Sequence, residues 1–275
     1  METVIKKSAA IVFSVVVYRN TDDLAEFAES VRQNVTLPYK IILVNNYYDD
    51  ESRERVKRFA AENDCVFLDS ENNGYGSGNN RAAEFALENY DFDYFIVSNP
   101  DIVIKKFDCE NLLNVKDGVL APEIITIGGK RQNPMYVKDL RFANKKIYRG
   151  LKKNKKLPFY FGIGLNKISR GWHNALYKLG RKKTHLIYQA HGSFVIFTRS
   201  CLAATGAPYD ENMFLFAEES YLAYLLKEKN IPTRYCNFIS VVHKEDGSMK
   251  FRSDVNDQLK KSNLYFFEKY YLKRK

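Results

Sequence analysis

The sequence predicts a doubly wound α/β domain, with a mostly parallel central sheet flanked by helices. Three observations carry that expectation. Residues 9–18 (AAIVFSVVVY) form a near-continuous apolar run, the pattern of a strand covered on both faces. Strand-like and helix-like segments then alternate as far as residue 98. Finally, the turn Asn72-Asn73-Gly74-Tyr75-Gly76-Ser77-Gly78-Asn79-Asn80 opens a helix, and the strand after it stops at Asn99-Pro100-Asp101. Open α/β sheets bind ligands at the C-terminal edge of their strands, where such a turn and such a carboxylate would both lie.

After the first strand, Thr21 is the expected cap of a helix with Asp22 and Asp23 in its first turn and Leu24, Phe27, Ala28 and Val31 along one side. Pro38 punctuates, and Lys40 to Val44 reads as a second strand. A helix follows Asp49-Asp50 with Val56, Phe59 and Ala60 inward, and Cys65 to Leu68 is a third strand. The glycine turn starts the next helix, and Tyr94 to Ser98 is a fourth strand. Pro100 has no N–H to give a ladder, so the strand is expected to end there and release Asp101 into a cleft. Beyond Asp101 the rhythm breaks. Val119 to Pro122 reads as a short strand, a basic segment interrupts, and Gly192 to Phe197 resumes as a strand. A helix carrying Glu218 and Glu219 follows, then strand-like runs near Thr233 and Ile239, then an amphipathic helix from about Asp254 to Tyr271.

With 275 residues, 45% of them apolar and 14% aromatic, the chain can bury the core of one large α/β domain bearing a sizeable insertion. Its longest apolar run is about ten residues where a membrane-spanning helix takes roughly 20, so an integral membrane protein is not expected. No signal peptide is expected at Met1-Glu2-Thr3. Cys65, Cys109, Cys201 and Cys236 are scattered with no C-x-x-C pair, as expected of reduced thiols in a cytosolic protein without a zinc site or disulfide framework. The net charge of +10 is concentrated. Between Leu140 and Tyr209 stand 15 Lys or Arg and no acid, while the rest of the chain has 28 basic and 33 acidic residues.

Four groups of residues could carry chemistry, each with a plainer alternative. Gly74, Gly76 and Gly78 could let backbone N–H groups approach a phosphate at a helix N-terminus, or could simply make a turn. Asp101 could hold Mg²⁺ or Mn²⁺ against diphosphate oxygens, or accept in an Asx-turn. Of Glu218 and Glu219, one could take a proton from a sugar hydroxyl while the other makes a structural bond; both could merely favour a helix N-terminus. His243, at the end of an apolar run, could complete a metal shell or be structural.

In order and context these groups resemble a family 2 glycosyltransferase of the GT-A fold, and within it the rhamnosyltransferase-like branch. Tyr18 and Asn20 stand where that family contacts the nucleobase. Val44-Asn45-Asn46 with Asp50 is similar to its second-strand motif, Asn73 to Asn79 to its Asn-x-Gly-x-Gly-Asn loop, and Ser98-Asn99-Pro100-Asp101 to its metal motif. Gly192-Ser193, Tyr209-Asp210-Glu211 and Phe214 to Glu219 resemble the segment ending in the pair that bears the catalytic base; His243 and Ser248 match its closing motif. The chain departs at Asn45 and Glu219, where aspartate is usual, and at Tyr221 and Leu225, where an acid and an arginine are common.

The resemblance implies a nucleotide-sugar site made by Tyr18, Asn20, Asn45, Asp50, Asn73, Gly74, Gly78, Asn79 and Asn99. It implies a divalent cation, Mn²⁺ or Mg²⁺, on Asp101 and His243, and catalysis by Glu219 with Glu218 beside it. Residues 1–139 would form the nucleotide-sugar-binding half, 140–190 a basic aromatic insertion on the membrane or acceptor side, and 191–275 the acceptor and catalytic half. The expected partners are a nucleotide-sugar donor, a glycan or lipid-linked glycan acceptor and an anionic membrane surface, at the inner face of the plasma membrane. Two rivals stand beside this: a non-catalytic protein that keeps the fold, and a nucleic-acid-binding protein using the basic segment.

Overall fold

The computed structural model of the chain describes residues 6–19, 21–180, 184–245 and 255–273. Along the first half run β1 (Lys7–Ser8), β2 (Ile11–Val17), α1 (Leu24–Asn34), β3 (Tyr39–Asn46), α2 (Asp50–Glu62), β4 (Val66–Ser70), α3 (Tyr75–Asn89), β5 (Tyr90–Asp91) and β6 (Tyr94–Ser98). There follow β7 (Ile102–Phe107), α4 (Cys109–Leu113), β8 (Val119–Thr126), α5 (Arg141–Lys152), α6 (Lys156–Gly180), β9 (Thr184–Ile187), β10 (Phe194–Thr198), α7 (Arg199–Thr205), α8 (Glu218–Glu228), β11 (Thr233–His243) and α9 (Val255–Lys269). The main sheet has the order β4-β3-β2-β6-β10-β8-β11-β7, with β9 alongside β11. The strands from β4 to β6 are mutually parallel, while β10 runs antiparallel to both β6 and β8.

All seven residues of β2 are buried, and their alternation divides the core. Ile11, Phe13, Val15 and Val17 pack with Leu24, Phe27 and Val31 of α1 on one face. Val12 and Val16 pack with Ala82, Ala83 and Ala86 of α3 on the other, where small side chains let the helix lie close to the sheet. Ser14 interrupts the apolar run because its hydroxyl donates to Asn79 Oδ1 of α3 at 2.8 Å. A third cluster joins Ile147 and Leu151 of α5 to Met213, Ala217, Phe266 and Phe267, tying α9 to the segment before α8.

Several expectations need correction. Asp23, not Thr21, precedes the first turn of α1, and it makes no capping bond because its carboxylate pairs with Lys244. Asp49 does cap α2, in a reciprocal box with Ser52. The runs near Thr233 and Ile239 form one strand, β11. Its register against β8 shifts between Cys236 and Ser240, opposite the Pro122–Glu123 step of β8. A proline inside a strand removes a ladder donor, and a bulge opposite absorbs the mismatch. The basic segment folds as two successive helices, α5 and α6, between β8 and β9.

Candidate active site

The rest of the site follows from that bulge. Past it, β11 pairs with β7 so that His243 stands opposite Ile102, next to Asp101 at the β6–β7 turn. The Lys244 N–H donates to the Asp101 carbonyl at 3.0 Å, which extends the pairing. His243 Nε2 lies 3.4 Å from Asp101 Oδ1, and its Nδ1 is 2.8 Å from Gln132 Oε1. A histidine whose second nitrogen is engaged has its ring orientation fixed, which leaves Nε2 aimed at the carboxylate. On the other side, the Asn99 N–H donates to the Ser193 carbonyl at 2.9 Å and so fastens the end of β6 to the start of β10.

Glu218 and Glu219 open α8. The two residues before it, Phe216 and Ala217, have φ of 69° and 68°, a left-handed pair in side chains other than glycine. Such backbone costs about 1–3 kcal/mol per residue and marks a turn that its surroundings over-determine. Here it swings both carboxylates into the interior. Glu218 is 4% exposed, and its Oε1 has no hydrogen-bond partner among the described residues. Burial pushes its carboxyl well above the usual range, and the neighbouring Glu219 adds to the effect. Burial also raises Glu219, against its own N–H and the Gly192 N–H, which favour the charged form. A Cβ on Gly192 would meet Glu219 Cγ at 2.9 Å and Oε1 at 3.0 Å, so glycine lets that backbone reach the carboxylate.

One cavity of about 540 Å³ is lined at once by Asn99, Asp101, His243, Glu218 and Glu219, with Tyr18 at its wall. Leu259 and Asn263 of α9 close it from the side of the third cluster. Asp210 holds that closure: its Oδ2 accepts from Tyr265 at 3.1 Å and pairs with Lys269 at 3.2 Å, and Tyr270 also donates to it. Tyr221, which stands where an acid is common in the resembled motif, packs its ring 4.9 Å from that of Tyr270.

The remaining expected residues lie elsewhere. Asn45, at the end of β3, is buried and donates to Asp69 Oδ1 at 2.8 Å. Asp50 is exposed in the first turn of α2, paired with Arg53 at 3.0 Å. Asn79 is fully buried between Ser14 and the Tyr75 carbonyl. Asn73 is exposed in the turn, while Asn20 and Ser248 lie outside the described residues. Around Gly74 and Gly78 the space that a side chain would need is taken by the chain itself. A Cβ on Gly74, whose φ is +103°, would sit 2.2 Å from the Phe214 carbonyl oxygen, and one on Gly78 would sit 2.9 Å from Val16 Cγ2. The turn receives the chain itself: the Tyr75 N–H donates to Phe214 O at 3.1 Å, and Asn80 bonds both the N–H and the carbonyl of Tyr209. It thereby holds the segment that carries the two glutamates, and Tyr75 reaches the cavity wall.

A family model described as "Glycosyl transferase family 2" matches residues 13–174, more than half of the chain. The chain belongs to glycosyl transferase family 2. Its sequence is similar to the "Low-salt glycan biosynthesis hexosyltransferase Agl10" of Haloferax volcanii, 22% identical over 202 residues, covering 72% of this chain. The chain spans 57% of that relative's length. Crystal structures of S. aureus TarS share the fold. One matches with TM-score 0.54 and 12% identity, covering 85% of this chain and 36% of TarS; a 1–349 form matches with TM-score 0.55 and 11% identity, covering 85% and 60%. The mixed α/β sheet flanked by helices is thus the GT-A arrangement expected from the motifs.

Sequence reasoning passed over His191, Gln132, Met135 and Tyr136, all at the cavity wall. His191 stacks 5.8 Å from His243 and has Nδ1 3.0 Å from Ser193 Oγ. Burial holds its pKa down at about 4, with His243 and Lys130 acting in the same direction. Its signal was its place beside Gly192-Ser193. Gln132 to Tyr136 come from an irregular stretch after β8 that has no periodicity to point at them. Among the described residues, no group of three or more His, Cys, Asp or Glu is arranged to hold a metal.

Proposed function

We propose that this chain is an inverting glycosyltransferase that moves a sugar from a nucleotide donor, dTDP-rhamnose or a UDP-hexose, to a hydroxyl of a growing, lipid-linked surface glycan. The observation that carries the reading is the single cavity in which the Asp101–His243 pair, the buried Glu218 and the half-buried Glu219 all take part. Family membership supports glycosyl transfer, and the hexosyltransferase named among its relatives supports a hexose and a glycan.

In this reading Glu219 accepts the proton of the acceptor hydroxyl as that oxygen attacks the anomeric carbon from the face opposite the diphosphate. The new C–O bond forms as the bond to the diphosphate breaks, and the nucleoside diphosphate departs with the electron pair. Burial suits Glu219 to this role, because a carboxylate with a raised pKa is a stronger base. Glu218, with an unsatisfied oxygen, braces the acceptor or its neighbour. Tyr18 lies at the wall toward β3, where Tyr48 meets its ring edge-on at 5.6 Å, and together they offer a surface for the base.

Asp101 and His243 fit a divalent cation. They give one hard oxygen and one imidazole nitrogen 3.4 Å apart at the cavity wall, too few ligands for a closed cage and the right number for a shell shared with diphosphate oxygens. Mn²⁺ or Mg²⁺ held there would neutralise charge developing on the leaving diphosphate. The chain would act in the cytoplasm, at the inner face of the plasma membrane. The test is thermal stability against UDP-, dTDP-, GDP- and CDP-sugars, each with and without Mn²⁺. One UDP- or dTDP-sugar should raise the melting temperature in a metal-dependent way. No response to any donor would overturn the proposal.

A further inference from the structure

Helix α6 presents a face that the rest of the chain leaves uncovered. Leu157, Tyr160, Phe161, Ile168 and Trp172 recur at helical spacing and are 84%, 63%, 51%, 60% and 71% exposed. Gly164 falls on the same stripe, with open space where its Cβ would be. The opposite side of α6 is occupied. A Cβ on Gly162 would lie 2.5 Å from the Ala143 carbonyl oxygen, and one on Gly150 would lie 2.6 Å from Phe159, so α5 and α6 pack backbone to backbone. Phe142, at the start of α5 and 61% exposed, meets Phe161 edge-on at 6.5 Å and widens the stripe. Exposed Lys153, Lys155, Lys156 and Lys167 stand around it, and residues 140–209 contain no acid.

We infer that the α5–α6 hairpin is a membrane-docking face, with the exposed stripe of α6 lying in the interface of an anionic lipid bilayer. No described helix is long and apolar enough to cross a membrane, so α6 lies along the surface. The surrounding lysines complement anionic headgroups, and Trp172 and Tyr160 are residue types that settle at headgroup depth. A second copy docked face to face would bring an equal positive charge against the first. Nucleic acid would match the charge but would find Leu157 and Ile168, which cannot stack on bases, within the face. Two neighbouring residues are turned to other partners. Phe159 points inward against Gly150, and Lys152 is paired with Glu268 at 3.1 Å.

This inference deepens the reading of a lipid-linked acceptor, yet its test uses neither donor nor acceptor, so either can fail alone. Trp172 is the only tryptophan in the sequence, and its emission reports on the face directly. The protein is titrated with phosphatidylcholine vesicles, with vesicles containing about 30 mol% phosphatidylserine, and with single-stranded RNA. A blue shift with the anionic vesicles, at least roughly tenfold tighter than with the neutral ones, is expected. Brominated acyl chains should quench the emission. The Leu157→Glu/Ile168→Glu variant, checked by its far-UV melting curve, should lose the shift while staying folded. Unchanged emission with both vesicle types, an equal shift in the folded variant, or a response to RNA alone would each overturn the inference.

Discussion

His243 Nε2 and Asp101 Oδ1 stand 3.4 Å apart because β11, after its bulge, pairs with β7 in the one register that sets His243 opposite Ile102. Neither side chain makes the pair alone, and a cation would need both. Asp101→Ala should therefore abolish the metal-dependent part of any donor-induced rise in melting temperature and lower turnover by roughly a hundredfold or more. A Mn²⁺ titration at saturating donor checks this. A variant that keeps the full metal response would remove Asp101 from the site.

Glu219→Gln keeps the shape and removes the proposed base. Its kcat should fall by roughly 10²–10⁴-fold, with donor KM little changed. The pH profile carries the sign. In the proposed mechanism Glu219 works deprotonated, and burial raises its pKa, so the acid limb of kcat should lie above the ordinary carboxylate value of 4.5. That limb should vanish in the variant.

Gly192→Ala isolates the position of that carboxylate. The added methyl would come within 2.9 Å of Glu219 Cγ, forcing the side chain off its place. Turnover should drop by about tenfold or more with a small change in melting temperature. Steady-state kinetics beside a melting curve separates this from simple unfolding.

Gly74→Ala should act on the fold. Its φ of +103° suits glycine alone, and the new Cβ would lie 2.2 Å from Phe214 O. A loss of about 2 kcal/mol or more by urea unfolding is expected. Near-parent stability would show that the turn and the 214 segment can part at little cost.

Glu218→Gln should stabilise the protein at neutral pH. The folded-state pKa of Glu218 is raised, so the stability linked to its neutral form is fully present below the unfolded value of 4.5 and is lost as pH rises through the folded value. Glutamine cannot ionise. The variant should melt a few degrees above the parent at pH 7–8, with the gap closing toward pH 4.5.

The parallel half of the sheet was legible because periodicity is local: the buried run of β2, the amphipathic α1 and α2 and the turn before α3 each announce themselves within about fifteen residues. The chemistry-bearing motifs were legible for the same reason, since Asn99-Pro100-Asp101 and Glu218-Glu219 are short words. Their meeting in one cavity was not. It depends on β10 entering between β6 and β8 and on a bulge in β11, both long-range events with no local trace. Strand β7 was missed because Lys105 and Lys106 break its apolar run, although Ile102, Val103 and Ile104 are buried. The glycines were noticed for their lack of a side chain, but the protein neighbours set against them were not foreseen. Absence of a side chain shows that something comes close, and here it is Phe214, Tyr209 and Val16.

The insertion of β10 also constrains how the molecule can be made. As the chain leaves the ribosome, β6 and β8 emerge long before the strand that separates them, and β8 waits longer still for β11. Until then the nascent chain carries apolar strand edges with no mate, a state prone to aggregation during vectorial synthesis. His243, the partner of Asp101, arrives only with the last strand, and α9, which closes the cavity, follows it. On the proposed reading a partly translated chain lacks the constellation to act on a donor, and competence appears only once β11 and α9 are both in place.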